Sequence, residues 1–401
     1  MIAKNYAILS TYETKFLNDI GNGYLREFIK NGTTYIDYED LYLKFGNKNV
    51  QEHILNIIDK NDLKVLIYQA GPTDFHFSVE FFQKLQRKVF TVMMIGDTDH
   101  YFDTRDIYYA QCMNLVIVYD CLSRYRFGQY GIDAISFYSS YDKNKYFKMS
   151  TAEKSIDVSF VGDMRYKRNR KEYINYIIKN GISVEVFGLG TKNGQVSLEQ
   201  MVEISNKTKI NLNFSGTSLK SGLRKEPNIN LRMRQMKGRI AEIALSGGFV
   251  LSEYVPGIEE VFEVDKEIVI FRTKEEMVAK IKYYLEHEKG RETIANNGHI
   301  RAVRDYEVST AIPKLINQIE EFRNRKIYRP SELYLDNHFM KYYTTFRVAM
   351  IVEFIKLGKW KLIFEELGII LKNRKLDFYQ TLKFLLNMFP KLKKLLKFIL
   401  S

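Results

Sequence analysis

Short apolar runs of four to seven residues recur along this chain, and most end in glycine or a small polar residue. VLIY (65–68), VFTVMMI (89–95) and LVIVY (115–119) form one series; DVSFV (157–161), SVEVF (183–187), INLNF (210–214) and FVLS (249–252) form another. Helical patterns separate them. Runs this short, rich in β-branched and aromatic residues, predict right-handed β-α-β crossovers and parallel sheets covered on both faces. The series restarts after about residue 150, so the 401 residues divide into expected domains over 1–150 and 151–325, followed by a helical tail over 326–401.

Composition excludes several classes. The chain is 45% hydrophobic, 14% aromatic and 27% charged, with six prolines and a mean hydropathy of −0.28. Those values describe a packed protein and not a disordered one. Cys112 and Cys121 are too few for a disulfide framework or a zinc site and suit a reducing compartment. The opening MIAKNYAILSTYE lacks the apolar run and small-residue cleavage site of a signal peptide, and no apolar run is long enough to cross a bilayer. A cytoplasmic location is therefore expected. The charge of +13 asks for an anionic partner: nucleic acid, acidic lipid or a phosphorylated ligand.

In an open α/β sheet, ligands bind at the carboxyl ends of the strands. In the first domain, Gly96-Asp97-Thr98-Asp99-His100 follows VFTVMMI directly. Asp97 or Asp99 could serve there as a general base, or cap the next helix. His76, in AGPTDFHFS after VLIYQ, is a second candidate base, or a helix-start residue. In the second domain, DVSFV ends in Gly162-Asp163, and Arg165, Lys167, Arg168, Arg170 and Lys171 crowd the following helix start. They suit phosphate beside backbone N–H groups, or form a solvated face. SVEVF ends in Gly188. A second basic group runs from Lys220 through Arg224, Lys225, Arg232, Arg234 and Lys237 to Arg239. Two basic groups on one crevice fit a diphosphate better than a duplex, and no recognition helix or β-ribbon is visible, so nucleic acid is not the expected partner.

The stretch NINLRMRQMKGRIAEIALSGGFVLSEYVPGIEE (228–260) is the most informative. Periodicity predicts a helix over 231–245. Met233, Met236, Ile240 and Ala244 fall on one stripe, and Arg232, Gln235, Arg239 and Glu242 on the next. Gly247 and Gly248 end the helix, a strand follows over Phe249–Ser252, and Glu253 stands at its carboxyl end. An ordinary salt-bridged amphipathic helix would read the same way.

With these segments the chain resembles the GT-B glycosyltransferases, in the "group 1" branch that includes CgeB-like proteins. The resemblance covers about 157–306 and rests on DVSFVGDMRYKR, KINLNFSG, MKGRIAEIALSGGFVLSEYVPGIEEVFEVDKEIVIF and KIKYYLEHEKGRETIANNGHIRAVRDY. The third of these is close to the family pattern R-x-x-E-x-x-x-x-G-G-F-x-L-x-E-Y-x-P-G-x-E-E-x-F. It implies a GT-B α/β architecture: two facing Rossmann-like domains with doubly wound parallel sheets, here with a basic helical appendage. It also implies a nucleotide-sugar donor held by the second domain. Glu242 takes the place of the glutamate that contacts the ribose. Arg239, with Arg165 or Arg168, would reach the diphosphate. Gly162, Gly188 and Gly248 would let backbone approach the donor, and Glu253, Pro256 and Gly257 would line its sugar side. Retaining relatives often carry a glutamate where this chain has Arg234, which leaves the stereochemistry open. Fixed cations in place of a divalent ion imply a metal-independent reaction with no cofactor beyond the nucleotide sugar.

The expected function is transfer of a sugar to a hydroxyl of a cell-surface glycan, a lipid-linked intermediate or a protein. The rivals are a nucleotide-sugar epimerase or polyol-phosphate transferase of the same fold, a basic nucleic-acid-binding protein, and a scaffold that has lost catalysis. Residues 331–401 carry 13 Lys/Arg against 6 Asp/Glu and end KLKKLLKFILS. A basic amphipathic segment over 375–401 suits an anionic membrane face, which would make the protein peripheral there; a helical hairpin packed on the protein, or an oligomer contact, is the alternative.

Overall fold

A computed structural model describes residues 2–11, 23–69, 71, 74–96, 98, 101–138, 140–150, 152–165, 168–216, 234–325, 333–378, 381–382 and 386. Six parallel strands form a first sheet: β1 (Tyr6–Ser10), β2 (Thr34–Asp37), β3 (Val65–Gln69), β4 (Phe90–Ile95), β5 (Leu115–Val118) and β6 (Ala134–Ser136), in the order β2-β1-β3-β4-β5-β6. Five more form a second: β7 (Ile156–Val161), β8 (Glu185–Phe187), β9 (Thr208–Asn213), β10 (Val250–Glu253) and β11 (Val269–Phe271), in the order β11-β10-β9-β7-β8. All pairings are parallel. Each sheet repeats one plan. The first strand pairs with the second on one side and the third on the other, and the strand order reverses between the first and third. That reversal opens a crevice at the carboxyl ends of β1 and β3, and again at β7 and β9.

Both sheets are covered on two faces, as near-continuous apolar strands require. One core of the first sheet joins Leu9, Tyr42, Phe82 and Val118; the other joins Ile8, Phe28, Val92 and Ile117. Sequence-coded caps start the covering helices. Asp37 Oδ1 accepts from Asp40 N at 3.1 Å, Ser78 Oγ from Phe81 N at 3.3 Å, and Ser197 closes a capping box with Gln200.

Helix Val308–Arg325 crosses back from the second domain and buries Ile312, Leu315 and Ile319 against the first sheet. The two connections between the domains lie edge to edge: Tyr141 N donates to Tyr306 O, and Val308 N to Tyr141 O, each at 2.9 Å. The tail is woven into the first domain. In helices Asn337–Lys356 and Trp360–Asn373, Phe339, Phe354 and Leu362 join the core of Tyr42 and Phe82. Arg347 and Glu366, each fully buried, pair at 3.4 Å, and Arg347 Nη1 donates to Tyr42 Oη at 2.7 Å. Most of 375–401 lies outside the described residues.

One expected element forms differently. The helix foreseen over 231–245 spans only Arg239–Leu245. Arg234 instead bridges Gly216 in an antiparallel pair, and Gln235 N donates to Ser215 O at 3.0 Å. Gly238 weakens helix propagation, and Tyr141 passes so close that a Cβ at Gly238 would collide with its hydroxyl. The polar stripe from Arg232 to Glu242 therefore does not assemble on one helix, and Arg232 itself lies outside the described residues.

Candidate donor site

The crevice of the second sheet is floored by Phe160 on β7, fully buried. Two guanidiniums lie near its ring. Arg170 Cζ is 5.2 Å from the ring centre and Arg239 Cζ 5.3 Å. Arg170 is buried, donates through Nη1 to Asp163 O at 2.9 Å, and has no partner for Nε. Arg239 is half-buried, and its Nε also has no partner. Burial lowers the Arg170 pKa to about 10, with the Arg239 charge adding to the effect. Burial lowers Arg239 too, against the pull of Glu242. Two like charges crowded on one aromatic ring, with donors to spare, are preorganised for an anion.

Glycines shape the space beside them. A Cβ on Gly162 would stand 3.3 Å from Arg239 Nη1 and press on Phe160. Gly188, at φ +120°, leaves no room for a side chain against the backbone of Gly162. Glu242 follows Arg239 on the same short helix, hydrogen-bonds Tyr141 and is half-buried; burial raises its pKa, while Arg239 works the other way. A narrow pocket beside the pair is lined by Tyr146, Ser159, Val161, Asn211, Arg239 and Glu242.

The structure thus brings Gly162, Gly188, Arg239 and Glu242 together. Arg165 stands at the rim in an exposed ion pair with Asp163 (2.8 Å), which holds the aspartate down at about 2. Arg168 begins helix Arg168–Lys179, and its side chain lies outside the described residues.

Four other expected residues stand elsewhere. Glu253 is buried; its Oε2 accepts from Ser215 N (2.9 Å) and Gly216 N (3.2 Å), and its Oε1 pairs with Arg234 Nε at 2.7 Å. It braces the end of β9 and does not present a free carboxylate. Gly248 lies before the amino end of β10, pressed between Asn211, Ile243 and Ser205 O, which leave no room for a side chain. Gly257 takes φ +89°, and a Cβ there would collide with Cys121 Sγ of the first domain. Pro256 O lies 3.6 Å from that sulfur. The Pro256-Gly257 turn is thus a domain contact, supported by Arg124–Glu260 at 3.2 Å. Beside it a cavity of about 240 Å³ lies between the domains, lined by Asp120, Arg124, Tyr138, Glu260 and Lys314 among others.

On the first-domain side, Asp97 and Asp99 lie outside the described residues. Thr98 between them donates to Asp106 Oδ2 at 2.6 Å, and Asp106 pairs with the buried Arg105 at 2.6 Å. His76 is enclosed by the rings of Tyr38, Tyr42 and Phe346, and its Nδ1 lies 2.6 Å from Asp74 Oδ1. Those rings come from the first domain and from the tail helix packed on it, so His76 does not face the donor crevice.

Residues 152–317 match a family model described as glycosyl transferase-like. No curated protein sequence matches the chain. Several solved structures share its fold. A glycosyltransferase from Rickettsia africae aligns at TM-score 0.53 and 10% identity, over 80% of this chain and 99% of that one. HepE from Anabaena, solved with UDP and glucose, aligns at 0.53 and 12%, over 79% and 99%. Sucrose-phosphate synthase from Thermosynechococcus elongatus aligns at 0.53 and 9%, over 80% and 99%. Residues 152–317 thus carry a glycosyl transferase-like domain, and the chain as a whole shares the two-sheet GT-B fold of these structures. The second sheet and the crossing near Tyr306 that returns the chain to the first both lie within the matched residues.

Proposed function

We propose that this protein transfers a sugar from a nucleoside diphosphate donor to an acceptor hydroxyl, with UDP as the nucleoside diphosphate. The observation that carries the reading is the Arg170–Phe160–Arg239 cluster at the point where the second sheet reverses its strand order. Cleaving the sugar–phosphate bond leaves a diphosphate with an added negative charge. Guanidiniums fixed before the reaction stabilise that charge without reorganising. Glu242, which lines the pocket with Tyr146, holds the ribose. HepE, whose fold this chain shares, has been solved with UDP and glucose, which supports the choice of nucleotide.

The acceptor hydroxyl loses its proton to a base in the facing domain, and Asp97 or Asp99 takes that role. The acceptor is a cell-surface glycan, a lipid-linked intermediate or a protein. The two arginines take the place of a divalent ion, so the reaction proceeds without metal.

The test is a thermal-shift titration with UDP and UDP-sugars. UDP raises the melting temperature of the wild type by mass action. Arg170→Met and Arg239→Met each weaken UDP about 10- to 100-fold, the worth of one or two charge-assisted hydrogen bonds. EDTA leaves the shift and the turnover unchanged. An undiminished UDP response in both arginine variants would overturn the site.

A further inference from the structure

Trp360, Phe364, Leu367 and Leu371 recur at intervals of four, three and four along helix Trp360–Asn373. At 100° per residue they fall on one line. Their exposures are 64%, 71%, 39% and 71%. Leu362, Ile363 and Glu366 on the other side are buried against the first domain. A helix covering a soluble domain needs one apolar stripe; this one has two. Leu357 before it and Phe378 after it are also exposed.

The charge around the stripe says what covers it. Lys356, Lys361, Lys372, Arg374 and Lys375 are all exposed. Over the same stretch the acids are Glu365 and Glu366, and Glu366 is buried against Arg347. A second copy of the chain would set this cationic rim against itself. An anionic lipid surface would neutralise it, and its headgroup boundary takes up Trp, Phe and Leu while lysine stems reach outward to phosphate. No described helix is long and apolar enough to cross a membrane, so the contact is flat.

We propose that helix Trp360–Asn373 docks the first domain on an anionic membrane surface, with Trp360, Phe364, Leu367 and Leu371 in the headgroup–acyl boundary and the surrounding lysines on lipid phosphates. The proposal does not depend on the donor site.

Trp360 is the only tryptophan in the chain, so intrinsic fluorescence reads this surface alone. Full-length protein is mixed with phosphatidylcholine vesicles containing roughly one-quarter phosphatidylglycerol. The emission moves to the blue and the protein floats with the vesicles; pure phosphatidylcholine gives much weaker binding. Phe364→Asp with Leu371→Asp lowers the bound fraction at least about tenfold, since each lost apolar side chain is worth about that much in partition. The same variant keeps the wild-type melting temperature and its response to UDP, which excludes unfolding. Removal of 387–401 leaves the Trp360 blue shift in place. The proposal falls if anionic vesicles leave the emission unchanged, or if the double variant floats like the wild type. It also falls if the blue shift follows protein concentration without lipid, which would assign the stripe to a second copy, or if removing 387–401 alone abolishes binding.

Discussion

Arg170 lies on the stripe of its helix that Ile174 and Ile177 bury, one turn and two turns further along. In the sequence it is one of five cations at a helix start and has no mark of its own. Its spacing from Ile174 and Ile177 was the available signal: a charge on an apolar stripe is either paired or functional. Arg239 and Glu242 could be read from the motif they sit in. The bracing role of Glu253 could not, because its partners Ser215, Gly216 and Arg234 come together only when β9 and β10 pair. Glu242 carries a pH signature. Its pKa is raised by burial, so the folded state binds its proton more tightly than the unfolded state does. The stability this group contributes is complete below the ordinary glutamate range and is lost as pH rises through its raised pKa. Glu242→Gln should therefore melt above the wild type at neutral pH, with the gap closing toward pH about 4, while UDP binding weakens. Melting curves across that range check the sign. Burial also raises both thiols, Cys112 to about 12, so native protein should resist iodoacetamide at neutral pH and react at both cysteines once unfolded.

At the scale of elements, alternation was enough to read most strands and their order of appearance. It missed β6, a three-residue edge strand with every residue half-buried, which offers no apolar run to see. Helix Tyr38–Lys60 is kinked at Gly46, at φ +77°, so no single helical repeat marks its full length in the sequence. The tail helices were legible as helices, but not the place they occupy. That place is set by Arg347 and Glu366, far from Tyr42 in sequence and joined to it inside the core. Burial works against the Arg347 charge, but Tyr42, Tyr343 and Glu366 outweigh it and keep the guanidinium protonated. Glu366→Leu would leave that charge buried alone and should cost about 3–5 kcal/mol. Adding Arg347→Met should recover most of the loss. Urea unfolding of the two variants measures both; equal stability of single and double variants would sever the pair from the fold.

At the scale of the molecule, the sequence declared two units of similar plan and placed the nucleotide in the second, but it did not say how the units meet. The meeting is made by Gly257 against Cys121, by Arg124 with Glu260, and by the paired crossings at Tyr141 and Tyr306. Under the proposed function, a donor bound by the second domain and an acceptor bound by the first would require the two to approach, as closure over bound ligands generally does. Small-angle scattering should accordingly record a smaller radius of gyration with a UDP-sugar than without, and Gly257→Val, which would push the contact at Cys121 apart, should blunt the change.

The paired crossings bear on how the two halves can move relative to each other. Tyr141 and Tyr306–Val308 run side by side and share hydrogen bonds, so both chain crossings lie along one edge. Sliding one half past the other would break those bonds, whereas swinging about their common line preserves them. No covalent bridge spans the remaining edges among the described residues. Under the proposed glycosyl transfer, an acceptor would approach from those edges and not from the line of the crossings at Tyr141 and Tyr306.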